Sequence, residues 1–255
     1  MRAQAKGATE IAGFLAVLGI PTDMPVEIAV DILRGIKDYL DEVGGAFVGG
    51  HTIFNPWPLS GGEVTAIAHP NQIVYQRGAE VGDVLVLTKP LGTQPAMAVY
   101  RTMKDPETCE IVLSVLSRKE AEELVKKAIR FMTKPNKSVA EAMQEVKPNA
   151  ATDVTGFGLV GHAENIAKES GVDIEVQAIP LMKNAIRVSE LFGYGLERGE
   201  AAETSGGILA ALPRERVDEF MDALRRRGVT AYVVGQAKQG GGKVTVKPDV
   251  EIIEV

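Results

Sequence analysis

A single cysteine, Cys109, stands in the 255 residues, so no internal disulfide can form and no multi-cysteine metal knuckle can be built. There are only three histidines (His51, His69 and His162), too scattered along the chain to read as a zinc set. Basic residues fall short of acidic ones: the formal charge is −6, against the basic footprint that nucleic-acid binding leaves. No apolar run approaches the ~20 residues that cross a bilayer. The opening Met1-Arg2-Ala3-Gln4-Ala5-Lys6 lacks the apolar core of a secretory signal. Together these absences point to a cytoplasmic protein without a membrane or nucleic-acid partner. Any anionic ligand would then need local help from backbone dipoles and metal ions.

Glycine is abundant, at 27 residues, and it gathers at three places. The central one is Ala151-Thr152-Asp153-Val154-Thr155-Gly156-Phe157-Gly158-Leu159-Val160-Gly161-His162. It reads as a short apolar run, an acid, a glycine turn and the start of a helix. Such a turn can bring main-chain N–H groups and a helix N-terminus to phosphate oxygens. A carboxylate at the strand end is a hard-oxygen ligand suited to Mg²⁺. The alternative is an ordinary strand–turn–helix in which Asp153 or Thr155 caps the helix. Gly49-Gly50-His51-Thr52 reads as a strand end where backbone approaches something closely, or as a bulge or tight bend. The third place is Glu203-Thr204-Ser205-Gly206-Gly207, a turn leading into an apolar strand.

Around these lie the expected elements. Residues 8–18 are apolar at most positions and predict a helix. Pro25 opens a second helix with apolar residues at Ile28, Ile32, Leu33, Ile36 and Leu40, closed by Gly44-Gly45. The polar segment Gln76-Arg77-Gly78-Ala79-Glu80-Val81-Gly82-Asp83 is the candidate boundary, giving domains of residues 1–77 and 83–255. Val84-Leu85-Val86-Leu87 predicts a strand buried on both faces, followed by a turn in which Lys89 is solvated. Ser117…Glu120 and Ser138…Glu141 are both capping-box patterns. Arg225-Arg226-Arg227-Gly228 is a helix C-terminus and not a nucleic-acid patch. Short strands are expected at 230–234, 243–246 and 251–253. Helices and strands mix without strict alternation, so the fold class is α+β.

In this order the motifs Gly49-Gly50-His51-Thr52, Gly82-Asp83-Val84-Leu85-Val86-Leu87-Thr88-Lys89-Pro90-Leu91-Gly92-Thr93, the Asp153 stretch and Glu203-Thr204-Ser205-Gly206-Gly207 resemble the selenophosphate synthetase (selenide, water dikinase) family. Asn55-Pro56-Trp57 fits it too, and the resemblance runs from about Gly7 to Val255. It implies a two-domain aminoimidazole ribonucleotide synthetase-like fold, with an N-terminal α/β domain, here incomplete, that pairs with a partner subunit, and an α+β C-terminal domain. It also implies ATP as co-substrate, selenide and water as the other substrates, Mg²⁺ as cofactor and a homodimer. Carried over by position, Asp153 would be a Mg²⁺ ligand, and Gly49, Gly50, His51 and Thr52 would contact ATP. Residues 204–207 match a family signature to which no role beyond shaping the fold is assigned.

The match has a gap. The family pattern opens with a glycine-rich segment carrying a cysteine or selenocysteine and a lysine, followed by further metal-binding acids. None of these has a counterpart here, so no catalytic residue is assigned; Cys109 and Lys6 are not matches. The expectation is a chain inactive or impaired by itself. Two other readings remain: a non-catalytic partner or regulator, and another ATP-using relative such as a thiamine-phosphate kinase or a hydrogenase-maturation dehydratase.

Overall fold

The computed structural model describes residues 2–255. Two compact units are present: Gly7–Ile73, and Val74–Val255 together with the N-terminal residues through Lys6. The short helix α1 (Arg2–Ala5) belongs to the second unit, where Ala5 is buried and the Val74 N–H donates to the Lys6 carbonyl at 3.0 Å.

The Gly7–Ile73 unit holds β1 (Glu10–Ile20), α2 (Val26–Val43), β2 (Phe47–Phe54) and β3 (Leu59–Ile67). β1 is the middle strand, parallel to β2 and antiparallel to β3. Residues 8–18, expected to be helical, therefore belong mostly to a strand. A run apolar at most positions fits either element, and pairing on both edges decides it here. α2 follows Pro25 and stops where Gly44, at φ 76, turns its N–H back to the Leu40 and Asp41 carbonyls. Side chains along β1 alternate. Ala16 and Leu18 are buried and line a cleft with Leu33 of α2, whereas Leu15 and Val17 are 44% and 40% exposed.

Gly49-Gly50 lies inside β2 and not at a strand-ending turn. A Cβ on Gly50 would sit 2.1 Å from the Ala16 carbonyl oxygen, so the close approach of β1 is what demands glycine there.

The larger unit continues with β4 (Val84–Leu87), α3 (Thr93–Thr102), α4 (Cys109–Leu113), α5 (Arg118–Thr133), α6 (Lys137–Val146), β5 (Ala150–Asp153), α7 (Gly158–Ser170), β6 (Val172–Leu181), α8 (Ala185–Phe192), β7 (Ile208–Leu212), α9 (Val217–Arg226), β8 (Tyr232–Gln239) and β9 (Val244–Glu254). Its six strands run in the order β5-β7-β4-β8-β6-β9, with only the β6–β9 pair parallel. Both faces are covered over β4, β5 and β7, whereas β9 at the edge is exposed or half-buried throughout. Leu85, Leu87, Leu209 and Ile179 face one apolar cluster, and Val86, Ile208, Leu212 and Phe220 the other. Residues 243–246 and 251–253, expected as two strands, are one continuous β9.

Only one of the two capping boxes forms. Ser117 Oγ accepts from the Glu120 N–H while Glu120 returns the bond to the Ser117 N–H, so α5 is capped at both donors. At Ser138 the pattern is not used, because α6 already starts at Lys137 behind Asn136. The buried Asn136 side chain does not cap either; its Nδ2 donates to the Gly206 carbonyl at 3.0 Å. No helix among the described residues is long and apolar enough to cross a membrane.

Candidate functional site

β5 ends on Asp153, which pairs with Ile208 of β7. The residue is 7% exposed, and its carboxylate makes no hydrogen bond or ion pair with another described residue. Its oxygens are not sealed from water, so the carboxylate is open to a cation. That fits Mg²⁺, which is commonly held by one or two carboxylates with phosphate oxygens and water in the remaining positions. Among the described residues no three His, Cys, Asp or Glu side chains converge on a metal position. Asp153 would thus act there as one protein ligand and not as part of a cage.

The turn after Asp153 commits only some of its amides to bonds within the protein. The Val154 N–H donates to the Gly207 carbonyl (2.9 Å), the Gly158 N–H to Thr155 (3.0 Å) and the Val160 N–H to Gly199 (3.1 Å). Gly158, at φ 66, packs so closely that a Cβ would lie 2.6 Å from the Gly199 oxygen. Gly158 and the Val154 and Val160 amides thus serve packing against residues 199–207, while the amides of Thr155, Gly156 and Phe157 have no main-chain partner among the described residues. Neither Asp153 nor Thr155 caps α7, whose N-cap is Phe157 with no side-chain bond. Thr155 Oγ1 instead lies 3.0 Å from His162 Nε2, under the exposed Phe157 ring.

Lys89, expected to be solvated, is 4% exposed. Its ammonium donates to the carbonyls of Phe131 (2.8 Å), Lys134 (2.8 Å) and Ser205 (2.9 Å). Burial, helped by the Lys134 charge, pushes it down to about 7, while the three carbonyl dipoles favour the charged form. Glu203 is equally enclosed. Its Oε1 accepts from the Gly92 N–H (2.7 Å), and its Oε2 from the Thr93 N–H (3.0 Å) and Oγ1 (2.6 Å). Burial pushes this carboxyl up to about 7, against the bonds from Thr93 and Gly92 that pull it down. The Glu203 carboxyl therefore occupies the start of α3, and that helix end is already filled.

Gly49, Gly50, His51 and Thr52 lie in the other unit, along a cleft of about 270 Å³ whose walls include Ala16, Leu18 and Leu33. β2 is an edge strand of its sheet, so one row of its backbone groups has no strand partner among the described residues. Within the larger unit the fold gathers Asp153, the 203–207 turn, Lys89 and Thr93 into one bonded group. The linking side chains of Lys89, Thr93 and Glu203 went unrecognised in the sequence. The only signal for them was their position inside the quoted motifs.

Residues 3–68 match the model of the AIR synthase related protein, N-terminal domain, and residues 80–247 that of its C-terminal domain. The chain is 40% identical over 259 residues to a selenide, water dikinase of Methanocaldococcus jannaschii, covering 98% of this chain and 73% of that one. It is 38% identical to the selenide, water dikinase of Methanococcus maripaludis, covering 98% and 76%. Among solved structures, the thiamine monophosphate kinase of Aquifex aeolicus shares the fold at a TM-score of 0.74 and 21% identity, covering 100% of this chain and 78% of that one. Hydrogenase maturation protein HypE in complex with ATP does so at 0.74 and 16%, covering 95% and 71%. With both AIR synthase domains matched in order and two-fifths of its residues shared with a named dikinase, the chain belongs to the selenide, water dikinase family.

Proposed function

We propose that this chain serves the ATP-dependent synthesis of selenophosphate from selenide and water, with AMP and phosphate as the other products, in the cytoplasm. The observation that carries the reading is the unpartnered Asp153 carboxylate at the end of β5, within a chain so similar to named selenide, water dikinases. In this reading Asp153 gives one oxygen ligand to Mg²⁺. Bound Mg²⁺ supplies charge neutralisation across the phosphate oxygens, a main demand of phosphoryl transfer. Gly49, Gly50, His51 and Thr52 contact ATP, with the free edge of β2 offering backbone donors and acceptors. The part up to residue 77, built on the Gly7–Ile73 unit, serves ATP binding and dimerisation, and residues 83–255 form the α+β part.

A homodimer is supported by the open side of the small sheet, where Leu15, Val17, Ile53 and Leu59 are 40–53% exposed on one face. Turnover by these 255 residues alone is weak in this reading, because one carboxylate is too few to hold several ions against a triphosphate and no acid cluster accompanies it among the described residues. The same observation favours a second reading, a partner that binds Mg²⁺·ATP without turning it over. The test is selenophosphate formation from ATP and selenide, on the chain alone and with a glycine-rich Cys/Lys segment supplied. Activity on supplementation supports the first reading. Tight Mg²⁺·ATP binding with no product under either condition supports the second, and absence of both sinks the proposal.

A further inference from the structure

Two buried charged side chains that this chemistry leaves unused converge on one five-residue turn. Glu203 anchors its first residue to the start of α3, and Thr93 Oγ1 accepts from the Thr204 N–H at 2.9 Å. Lys89 holds its middle through the Ser205 carbonyl. Burying either charge is expensive, and both are fully bonded where they lie. The turn also carries strain: Ser205 sits at φ 51, which persists only where the surroundings over-determine the backbone. Its glycines are wedged in place. A Cβ on Gly206 would lie 2.2 Å from the Val154 oxygen, and one on Gly207 2.5 Å from the Lys89 nitrogen.

From this turn, main-chain bonds reach the residues just after Asp153. The Val154 N–H donates to Gly207, and the Glu203 N–H to Thr155, each at 2.9 Å. Asp153 itself makes no side-chain bond that would fix its carboxylate, so the main chain alone sets its place. We infer that Glu203 and Lys89, with Thr93, are positioning residues: they lock residues 203–207, and through that turn they aim the Asp153 carboxylate at Mg²⁺. The inference rests on the reading of Asp153 as a Mg²⁺ ligand.

The experiment is calorimetric ATP binding by the full chain across a Mg²⁺ series, with a matching series in chelator. Asp153→Asn should remove most of the Mg²⁺ dependence. In Glu203→Gln the new NH₂ must face the N–H of either Gly92 or Thr93, donor against donor, so the turn loosens. The Mg²⁺ midpoint should then rise about tenfold, as when an outer partner of a metal ligand is lost, with binding in chelator unchanged. Thr93→Val should move the midpoint the same way by a smaller factor, and it stands in if Glu203→Gln does not fold. Asp83→Asn is the control, since that buried carboxylate accepts from Glu80 and Asn149 at the opposite end of β4 and β5. It should lower thermal stability and leave the midpoint in place. The inference fails if Asp153→Asn moves the midpoint but Glu203→Gln and Thr93→Val do not, or if Asp83→Asn moves it as far. If Asp153→Asn changes nothing, the ligand reading itself falls and takes the inference with it.

Discussion

The two units solve the burial problem differently. The six-stranded sheet of the larger unit is covered on both faces over β4, β5 and β7, which are buried from end to end. The three-stranded sheet has α2 on one side, while its other side leaves Leu15, Val17, Ile53 and Leu59 substantially exposed. A sheet of three strands and one helix cannot hide both apolar faces with its own residues. The larger unit thus buries its central strands with its own residues, whereas the smaller one leaves an apolar face open.

The sharpest way to test that contrast is to damage the self-sufficient core. Phe220 is fully buried on one face of the large sheet, and Phe220→Ala should cost about 3–5 kcal/mol in denaturant unfolding. A loss below ~1 kcal/mol would mean that this core is not the main store of stability. On the open face, Leu15→Asp should weaken self-association by about 2 kcal/mol or more, the scale of an interface hot spot, with little change in helix content. Sedimentation velocity over a concentration series reads this, and self-association that is absent or unchanged would remove this face from the proposed homodimer. Gly50→Ala should destabilise the small unit by about 1–3 kcal/mol through forced backbone shifts. Hydrogen exchange should rise in β1 and β2 and stay unchanged in β4 and β7; a uniform rise would erase the distinction between the units.

The subtlest effect concerns pH. Burial pushes the Glu203 carboxyl up to about 7 from its ordinary value of 4.5, so the folded chain binds its proton more tightly than the unfolded chain does. Its contribution to stability is therefore most favourable below about 4.5 and is lost as pH rises through about 7. The stability advantage of wild type over Glu203→Gln should shrink across that window in thermal melts. A constant gap would show that the carboxyl titrates normally.

Much of this architecture was legible before any coordinates. The Val84-Leu85-Val86-Leu87 run, the Ser117…Glu120 box, the Arg-rich end of α9 and the strand ending at Asp153 all depend on short-range pattern, and all four are present. Residues 8–18 were misread because their periodicity does not separate a helix from a central strand. The Ser138 box failed because α6 already starts at Lys137, which places Ser138 inside the helix and not at its cap. Lys89 was misread because a lysine beside a turn is normally solvated, and its three acceptors come from residues 131, 134 and 205.

What the amino-acid order settled alone was the class of the molecule: α+β, without disulfides, with glycine-bearing motifs spaced as in one family. Those features depend on residue type and local spacing, so they survive without a third dimension. Only the tertiary structure decided that Gly50 answers to a neighbouring strand, that Glu203 and Lys89 are interior ionisable groups, and that Asp153 is left without a protein partner. Burial and bonding of a side chain are set by segments far away in sequence, and no local pattern encodes which of them will arrive.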